Sequence, residues 1–145
     1  MKQSFTYLVL TVLALFLSTH LFAEDFSSVT GKWKTKDDET GEFKSIIELY
    51  VASDGTLQGK IVKLLKAVEG KCEKCPGDSQ YAVNTPVEGM IFVWDVKKLG
   101  EKSGKIFDPD KAKMYSVQFW KEGNNLKVRG YIAFFYRTQT WYPAE

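Results

Sequence analysis

The sequence predicts an all-β protein whose eight strands form an antiparallel up-and-down barrel. From residue 24 onward, short runs of β-branched and aromatic residues are separated by glycine, asparagine and proline, a pattern typical of sandwiches and barrels. Several of these runs alternate apolar and polar residues, so each strand has one buried and one solvated face. All connections but one are short enough for hairpins, and closing the sheet removes its exposed edges.

The eight strands are expected at Gly31–Lys36, Ser45–Ala52, Thr56–Leu65, Met90–Leu99, Gly104–Asp108, Lys113–Lys121, Asn125–Ala133 and Phe135–Tyr142. Ser53-Asp54-Gly55 and Glu122–Asn125 supply tight turns, because glycine and asparagine tolerate positive φ. Asp108–Lys111 has proline at its second position and predicts a type I turn. The exception is the connection from Lys66 to Gly89, which is too long for a hairpin; connections of this length are either lids and binding loops or disordered segments.

Alternation within the strands predicts which side chains face the interior. In the fourth strand, Phe92, Trp94 and Val96 alternate with Asp95 and Lys97. The expected lumen lining is aromatic and aliphatic: Tyr50, Leu57, Ile61, Phe92, Trp94, Tyr115, Val117, Phe119, Leu126, Val128 and Ile132. Eight strands make about the smallest barrel that holds one small ligand.

The first 23 residues have the order of a cleaved secretory signal peptide. Lys2 precedes an apolar run from Phe5 to Leu17, and Leu21-Phe22-Ala23 forms a plausible cleavage site. The run is shorter than the ~20 residues of a spanning helix, and no second run follows, so we expect no integral membrane segment in the mature chain. We therefore expect a signal peptide at residues 1–23, one barrel domain at 24–145, and a periplasmic or secreted location.

Composition argues against several functional classes. The formal charge is +2, and loss of Lys2 leaves +1, so the net charge gives no electrostatic case for nucleic acid or for an acidic membrane surface. The only histidine, His20, leaves with the signal peptide. The only arginines, Arg129 and Arg137, lie near the C-terminus, and they reflect either a lysine-biased genome or a geometric role for the planar guanidinium.

Gly31-Lys32-Trp33 opens the first strand and resembles the Gly-x-Trp start of the calycins, the superfamily of lipocalins and fatty-acid-binding proteins. In those barrels an arginine from the last strand lies across the tryptophan and closes one end. The resemblance implies that Arg137, on the predicted final strand, forms a structural end-cap with Trp33. A role of Arg137 as a ligand contact is the alternative.

The chain is also similar to a bacterial exported family, domain of unknown function 2147. The similarity rests on Gly31-x-Trp33, Asp54-Gly55-x-Leu57-x-Gly59-Lys60-Ile61, Cys72-x-x-Cys75, Gly104-Lys105-Ile106-x-Asp108-Pro109, Arg129-Gly130-Tyr131 and Arg137-Thr138-Gln139-Thr140-Trp141. It implies a lipocalin-like barrel outside the cytoplasm and brings no established catalytic site. The long cysteine loop departs from calycin habit.

Cys72 and Cys75 predict a local disulfide that stiffens the long connection in an oxidising compartment. The alternative is thiol redox chemistry, which the following Pro76-Gly77 and the absence of a βαβ pattern disfavour. A zinc site would need two further soft ligands that the mature chain lacks, so we expect no metal.

Carboxylates are the remaining catalytic resource, and they are expected to be structural. Asp37-Asp38-Glu39 has the composition of a solvated hairpin tip, and Asp108 and Asp110 flank a turn proline. Glu48 is expected to face outward, with an inward pairing to Arg129 or Arg137 as the alternative. No nucleophile–base pair or phosphate-binding glycine loop is present, so we expect neither enzymatic activity nor a cofactor.

The sequence therefore predicts an exported, lipocalin-like protein that binds a small, partly hydrophobic ligand, such as a fatty acid or similar carboxylate, in its lumen. The expected ligand contacts are Tyr50, Leu57, Ile61, Phe92, Trp94, Tyr115, Phe119, Val128 and Arg129. The alternative is an envelope structural or interaction protein whose barrel is filled by its own side chains. Ligand identity and oligomeric state do not follow from the sequence.

Overall fold

Eight strands close into an antiparallel barrel, which confirms the predicted fold class. The structure is a computed structural model, and it describes residues 24–66, 70–75, 81 and 83–145. The signal peptide predicted for residues 1–23 lies outside the described residues. The strands are β1 Gly31–Lys36, β2 Phe43–Val51, β3 Leu57–Leu64, β4 Lys71–Cys72, β5 Thr85–Pro86, β6 Ile91–Val96, β7 Lys105–Asp108, β8 Lys113–Glu122, β9 Asn125–Ile132 and β10 Phe135–Pro143.

Neighbouring strands in the chain are neighbours in the wall, as an up-and-down barrel requires. The order around the barrel is β1-β10-β9-β8-β7-β6-β3-β2, and β4 and β5 form a separate two-stranded sheet in the long connection. The first and last barrel strands meet through two residue pairs, Trp33 with Pro143 and Lys34 with Tyr142. No helix with the length and apolar composition of a membrane span occurs among the described residues.

Strand β6 departs from the predicted alternation. Its register shifts twice against β3, because Leu57 pairs with Val96, Gly59 with Val93 and Lys60 with Ile91. Such shifts mark β-bulges, and Asp95 has a φ of 57° at one of them. As a result the adjacent residues Phe92 and Val93 are both buried, whereas Trp94 is only partly buried. The prediction that Phe92, Trp94 and Val96 share one face is wrong for this reason.

The end of the barrel near the N-terminal segment is closed and filled. Residues 24–30 make a turn in which the amide of Val29 donates to the carbonyl of Phe26 at 2.9 Å. The indole nitrogen of Trp33 donates to the carbonyl of Val29 at 2.8 Å, which ties this turn to β1. The packed interior of this half consists of fully buried side chains: Phe26, Val29, Leu49, Leu57, Val96, Val117, Phe119 and Leu126.

The long connection between β3 and β6 carries the disulfide that the sequence predicts. Cys72 and Cys75 are bonded, and both are almost completely buried. The amide of Asn84 donates to the carbonyl of Cys72 at 2.9 Å, within the β4–β5 sheet region. Tyr81 stacks on Phe107 of β7 at 5.7 Å between ring centroids. These contacts hold the described part of the connection against β7 at the open end of the barrel.

Candidate ligand cavity

A cavity of about 310 Å³ occupies the half of the barrel that lies away from the N-terminal segment. It is bounded by the strand ends that lead into the β1–β2, β7–β8 and β9–β10 turns and into the long connection. Its apolar and aromatic lining comes from seven of the eight barrel strands, β1 excepted, and from Val87: Ile47, Ile61, Leu64, Val87, Phe92, Ile106, Phe107, Tyr115, Val128, Ile132, Phe135, Tyr136 and Trp141. The barrel is therefore filled in one half and hollow in the other.

A pair of hydroxyl groups supplies polarity inside the wall. Thr35 of β1 and Ser45 of β2 are both buried, and their side-chain oxygens lie 2.7 Å apart in a hydrogen bond. Every fully buried polar side-chain atom of the described residues has a hydrogen-bond partner. A bound molecule would consequently meet a hydrophobic interior in which the protein's own polar groups are already satisfied.

One side of the cavity is closed by side chains instead of backbone pairing. Because β1 and β10 pair only near Trp33 and Lys34, the wall between them further along is formed by an Asp38-centred network. The Oδ2 atom of Asp38 accepts from Arg137 at 2.8 Å and from the Gln139 amide at 2.6 Å. Trp141 in turn donates its indole N–H to Gln139 Oε1 at 3.3 Å. The guanidinium of Arg137 at the cavity mouth is therefore already paired with a carboxylate of the protein, that of Asp38.

Charged residues surround the mouth. Lys44 of β2 forms an ion pair with Asp110 of the β7–β8 turn, three strands away around the barrel, so the pair bridges the opening. Asp108 accepts from the backbone amides of Asp110 and Lys111, which fixes the predicted turn. The cation of Lys111 lines the mouth, and no carboxylate among the described residues forms an ion pair with it. The cavity is therefore apolar inside and charged at its rim.

Four of the nine predicted ligand contacts line the cavity, namely Ile61, Phe92, Tyr115 and Val128. Leu57 and Phe119 point into the barrel but are completely buried in its filled half. Tyr50 lies on the outer wall, where its hydroxyl donates to Gln58 and Lys60 lies over its ring. Trp94 is turned out of the cavity lining by the bulges of β6.

Arg129 is on the outer face of the barrel, so its assignment as a ligand contact in the lumen is wrong. Val128 lines the cavity, and strand alternation places the next side chain outside. The guanidinium of Arg129 lies between the rings of Trp120 and Tyr136, at 5.1 and 4.5 Å from their centroids. Its Nε donates to Thr138 at 2.7 Å. These contacts give Arg129 a role in the wall.

Arg137 and Trp33 are at opposite ends of the barrel, so the predicted end-cap between them does not form. Trp33 pairs with Pro143, and Arg137 lies six residues earlier on β10, which is roughly 20 Å along the strand. The cation over the Trp33 ring is Lys121, at 4.8 Å from the centroid. Trp33 still closes one end, and Arg137 instead lines the cavity, as the alternative interpretation proposed.

Alternation in the last strand would have identified several lining residues that the sequence interpretation missed. Phe135, Arg137, Gln139 and Trp141 occupy every second position of β10, and all four line the cavity. The buried Thr35 and Ser45 carry no comparable signal, because isolated hydroxyl residues in a strand are equally common on outer faces.

The carboxylates behave as structural groups. Glu48 forms an ion pair with Lys60 at 2.9 Å on the outer wall, in agreement with the expected outward position. The backbone amide of Thr40 lowers the pKa of Asp37, and that of Thr56 lowers the pKa of Asp54, because both aspartates cap turns. The described residues contain no cluster of histidine, cysteine or acidic side chains suited to a metal ion.

Comparison with known proteins agrees with this architecture. Protein HP1028 from the human pathogen Helicobacter pylori, which belongs to the lipocalin family, superposes with a TM-score of 0.67 and 19% identity, covering 80% of this chain and 82% of that chain. At this identity the similarity shows a shared fold. No curated protein matches the sequence. Residues 31–142 match the bacterial family described as "Uncharacterized protein conserved in bacteria (DUF2147)", and the chain belongs to that family.

Proposed function

We propose that this protein binds one small amphipathic molecule, with the apolar part in the cavity and the polar group at the mouth. The observation that carries the proposal is the cavity of about 310 Å³ in an otherwise packed barrel. Small-molecule sites are typically ~300–1,000 Å³, so this volume is at the lower end of the range. At roughly 30 Å³ per water-sized group, it holds about ten such groups.

A carboxylate is the polar group that the mouth favours. Arg137 lines the cavity, and its guanidinium already binds one carboxylate, that of Asp38, at 2.8 Å. A fatty acid of short or medium chain would place its tail against Trp141 and its carboxylate beside Arg137 and Lys111. The ligand would then compete with Asp38 for the arginine, or join the same network through Lys111.

The location proposed for this activity is the periplasm or the cell exterior. Support comes from the signal architecture of residues 1–23 and from a disulfide, which oxidising compartments favour. The protein isolated from its host should begin near Glu24 and lack His20, which intact-mass measurement checks. A native terminus at Met1 would contradict the proposal.

We propose binding without catalysis as the role of the barrel. The carboxylates that might act as acids or bases are engaged in turn caps and ion pairs, as Asp37, Asp108 and Glu48 illustrate. Thiol redox chemistry is disfavoured, because both cysteines of the disulfide are at most 2% exposed and an attacking thiolate needs access to sulfur. Disulfide reductase activity in the purified protein would contradict this part of the proposal.

A pair of adjacent substitutions in β3 tests the cavity directly. Ile61 lines the cavity, whereas the neighbouring Val62 is 37% exposed on the outer wall. Ile61→Phe should fill part of the cavity and reduce binding of a medium-chain fatty acid at least tenfold, as measured by displacement of an environment-sensitive dye. Val62→Phe is the matched control and should bind like the wild type. Equal effects of both variants would argue that the dye and the fatty acid bind elsewhere.

Native mass spectrometry of protein purified from its host separates this proposal from its rival, a structural barrel filled by its own side chains. A co-purified small molecule that disappears in Ile61→Phe would support ligand binding. An empty protein that also fails to take up fatty acids, alcohols or other small amphiphiles would favour the structural role.

The preference for a carboxylate has its own test. Asp38→Asn removes the internal competitor of a ligand carboxylate and should raise fatty-acid affinity several-fold. Arg137→Gln should lower it about tenfold, while the affinity for the matching fatty alcohol changes little. Unchanged fatty-acid affinity in both variants would leave cavity binding in place and eliminate the carboxylate assignment.

A further inference from the structure

The turn between β9 and β10 carries an exposed aromatic cluster at the cavity mouth. Phe134 is 99% exposed at the tip, Phe135 is 75% exposed and Tyr136 is 63% exposed. Phe135 and Tyr136 also line the cavity, whereas Phe134 does not. These three consecutive aromatic residues form a contiguous exposed patch, and such patches mark interaction sites, whereas single exposed apolar residues do not.

The backbone at this tip is unfavourable for the residues that occupy it. Ala133 adopts a φ of 51°, in the left-handed region that Asn or Gly normally supplies in a two-residue hairpin turn. A non-glycine residue held in this region is often found at functional sites. The side chain of Phe134 therefore gains no stability from burial, and the φ of Ala133 is unfavourable for an alanine.

Exposed lysines lie beside the aromatic tip. The first residues of β8 run next to the end of β9, which places Lys111, Lys113 and Met114 near the β9–β10 turn. Lys113 and Met114 are both exposed, and neither Lys111 nor Lys113 forms an ion pair with a carboxylate among the described residues. An apolar tip flanked by exposed lysines complements a surface with an apolar interior and anionic groups.

We propose that the β9–β10 turn docks this protein on an anionic lipid surface, with Phe134 inserted among the lipids and the cavity mouth facing them. A lipid surface is favoured over a protein partner because the patch is a protruding point, not a flat face or a groove. Aromatic rings partition into the membrane–water interface, and the lysines would lie at headgroup level. This inference stands on the tip alone and does not depend on which molecule the cavity holds.

Substitution of Phe134 tests the proposal in co-sedimentation with vesicles. The wild type should bind vesicles of phosphatidylcholine and phosphatidylglycerol and bind pure phosphatidylcholine more weakly, with the difference reduced by salt. Phe134→Asp should lower the bound fraction at least tenfold, and Phe134→Leu should retain most of it. All variants share one N-terminus and are purified after export, so any contribution from that terminus is the same in each.

A tryptophan placed at the tip reports on insertion itself. In Phe134→Trp, lipids brominated on their acyl chains should quench the added fluorescence. Val51→Trp is the matched control. Val51 is half-exposed and lies at the end of β2 away from the cavity mouth, so a tryptophan there should not be quenched. Thermal unfolding should show that each variant remains folded.

Three results would overturn the lipid proposal. One is equal vesicle binding by the wild type and Phe134→Asp, and another is equal quenching at positions 134 and 51. The third is a dimer in vesicle-free sedimentation that Phe134→Asp abolishes while vesicles capture neither form, which would assign the tip to a second copy of the chain.

Discussion

Trp33 fixes the closed end of the barrel through two contacts of different kinds. Its indole N–H is bonded to the Val29 carbonyl at 2.8 Å, and the Lys121 ammonium lies 4.8 Å from its ring centroid. The first contact anchors the N-terminal turn, and the second covers the ring with a cation that also donates to the carbonyl of Asn124. Lysine thus occupies the place in which the calycin resemblance implies an arginine.

A double-mutant cycle should locate the true partner of Trp33. Trp33→Phe is expected to reduce the free energy of unfolding by ~1–3 kcal/mol, since it leaves the buried Val29 carbonyl without its donor. Lys121→Met should show a coupling with Trp33→Phe of about 0.5–1 kcal/mol in urea unfolding. Arg137→Met is the control and should show none. Coupling to Arg137 instead of Lys121 would contradict the arrangement of the closed end.

Two inward glycines should respond differently to the same added methyl group. A Cβ on Gly59 would lie 2.8 Å from Leu49 Cδ2 and 3.2 Å from the Cβ of Val93, in the packed half. A Cβ on Gly130 would lie 3.5 Å from Tyr115, at the cavity. Gly59→Ala should therefore destabilise the fold by ~1–3 kcal/mol, and Gly130→Ala by less than about 0.5 kcal/mol, in thermal or urea unfolding. A larger cost at Gly130 would show that the cavity is already filled.

At the scale of strands, the barrel is predictable from the sequence because glycine, asparagine and proline mark the turns. β1 has the predicted bounds Gly31–Lys36, and β7 to β10 begin or end within a residue or two of prediction. β6 ends three residues before the predicted strand does, and its two bulges are set by how Gly59 and Lys60 of β3 pair with it. Local alternation does not encode that register, and so Trp94 was misassigned.

The site was predictable only in part, for a related reason. Alternation identifies which residues of a strand point inward, but it does not say how far along the barrel axis the packing ends. Leu57 and Ile61 share one face of β3, yet one belongs to the core and the other to the cavity. The boundary is set by the side chains of the closed end, including the Phe26 turn, which acts through tertiary contacts that no strand pattern reports.

The barrel should remain folded when the cysteine-containing connection is loosened. Replacing Cys72 and Cys75 with alanine opens a bridge that spans very few residues, so the chain-entropy cost is at most about 2 kcal/mol. Hydrogen exchange of the Asn84 amide, which is bonded to the Cys72 carbonyl, should accelerate. Amides of β8 and β9 should keep their protection. Collapse of protection throughout the barrel would show that the disulfide is required for the whole fold.

The ionisation of Tyr81, in the same connection, should make the stability of the fold depend on pH in the alkaline range. Burial raises the pKa of Tyr81 from 10.0 to about 12, because the phenolate is harder to desolvate than the neutral phenol. The folded state therefore keeps this proton after the unfolded state has lost it. The contribution to stability is fully present below pH 10 and is lost as the pH rises to about 12. Tyr81→Phe should unfold with a weaker pH dependence in that window, and an unchanged pH profile would contradict the assignment.

For the molecule as a whole, stability and the proposed ligand binding belong to different halves of one barrel. The half around Leu49, Phe119 and Leu126 is packed to full burial and supplies the hydrophobic stabilisation. The other half leaves its apolar residues around an open volume, which a small domain sustains only if packing elsewhere compensates. A ligand that enters the cavity should raise the unfolding temperature, and the shift should keep increasing with the logarithm of ligand concentration above its Kd.

The narrow junction between β1 and β10 has a kinetic consequence. These strands are the most distant pair in the sequence and share two residue pairs, so their pairing has the largest loop-closure entropy cost of any strand pair in the wall. We expect the junction to close last in folding and to be the first part of the wall to admit deuterium in the native state, ahead of the β8–β9 ladder. Millisecond-scale opening there would give the cavity a lateral entrance, distinct from the charged mouth, between Thr35 and Trp141.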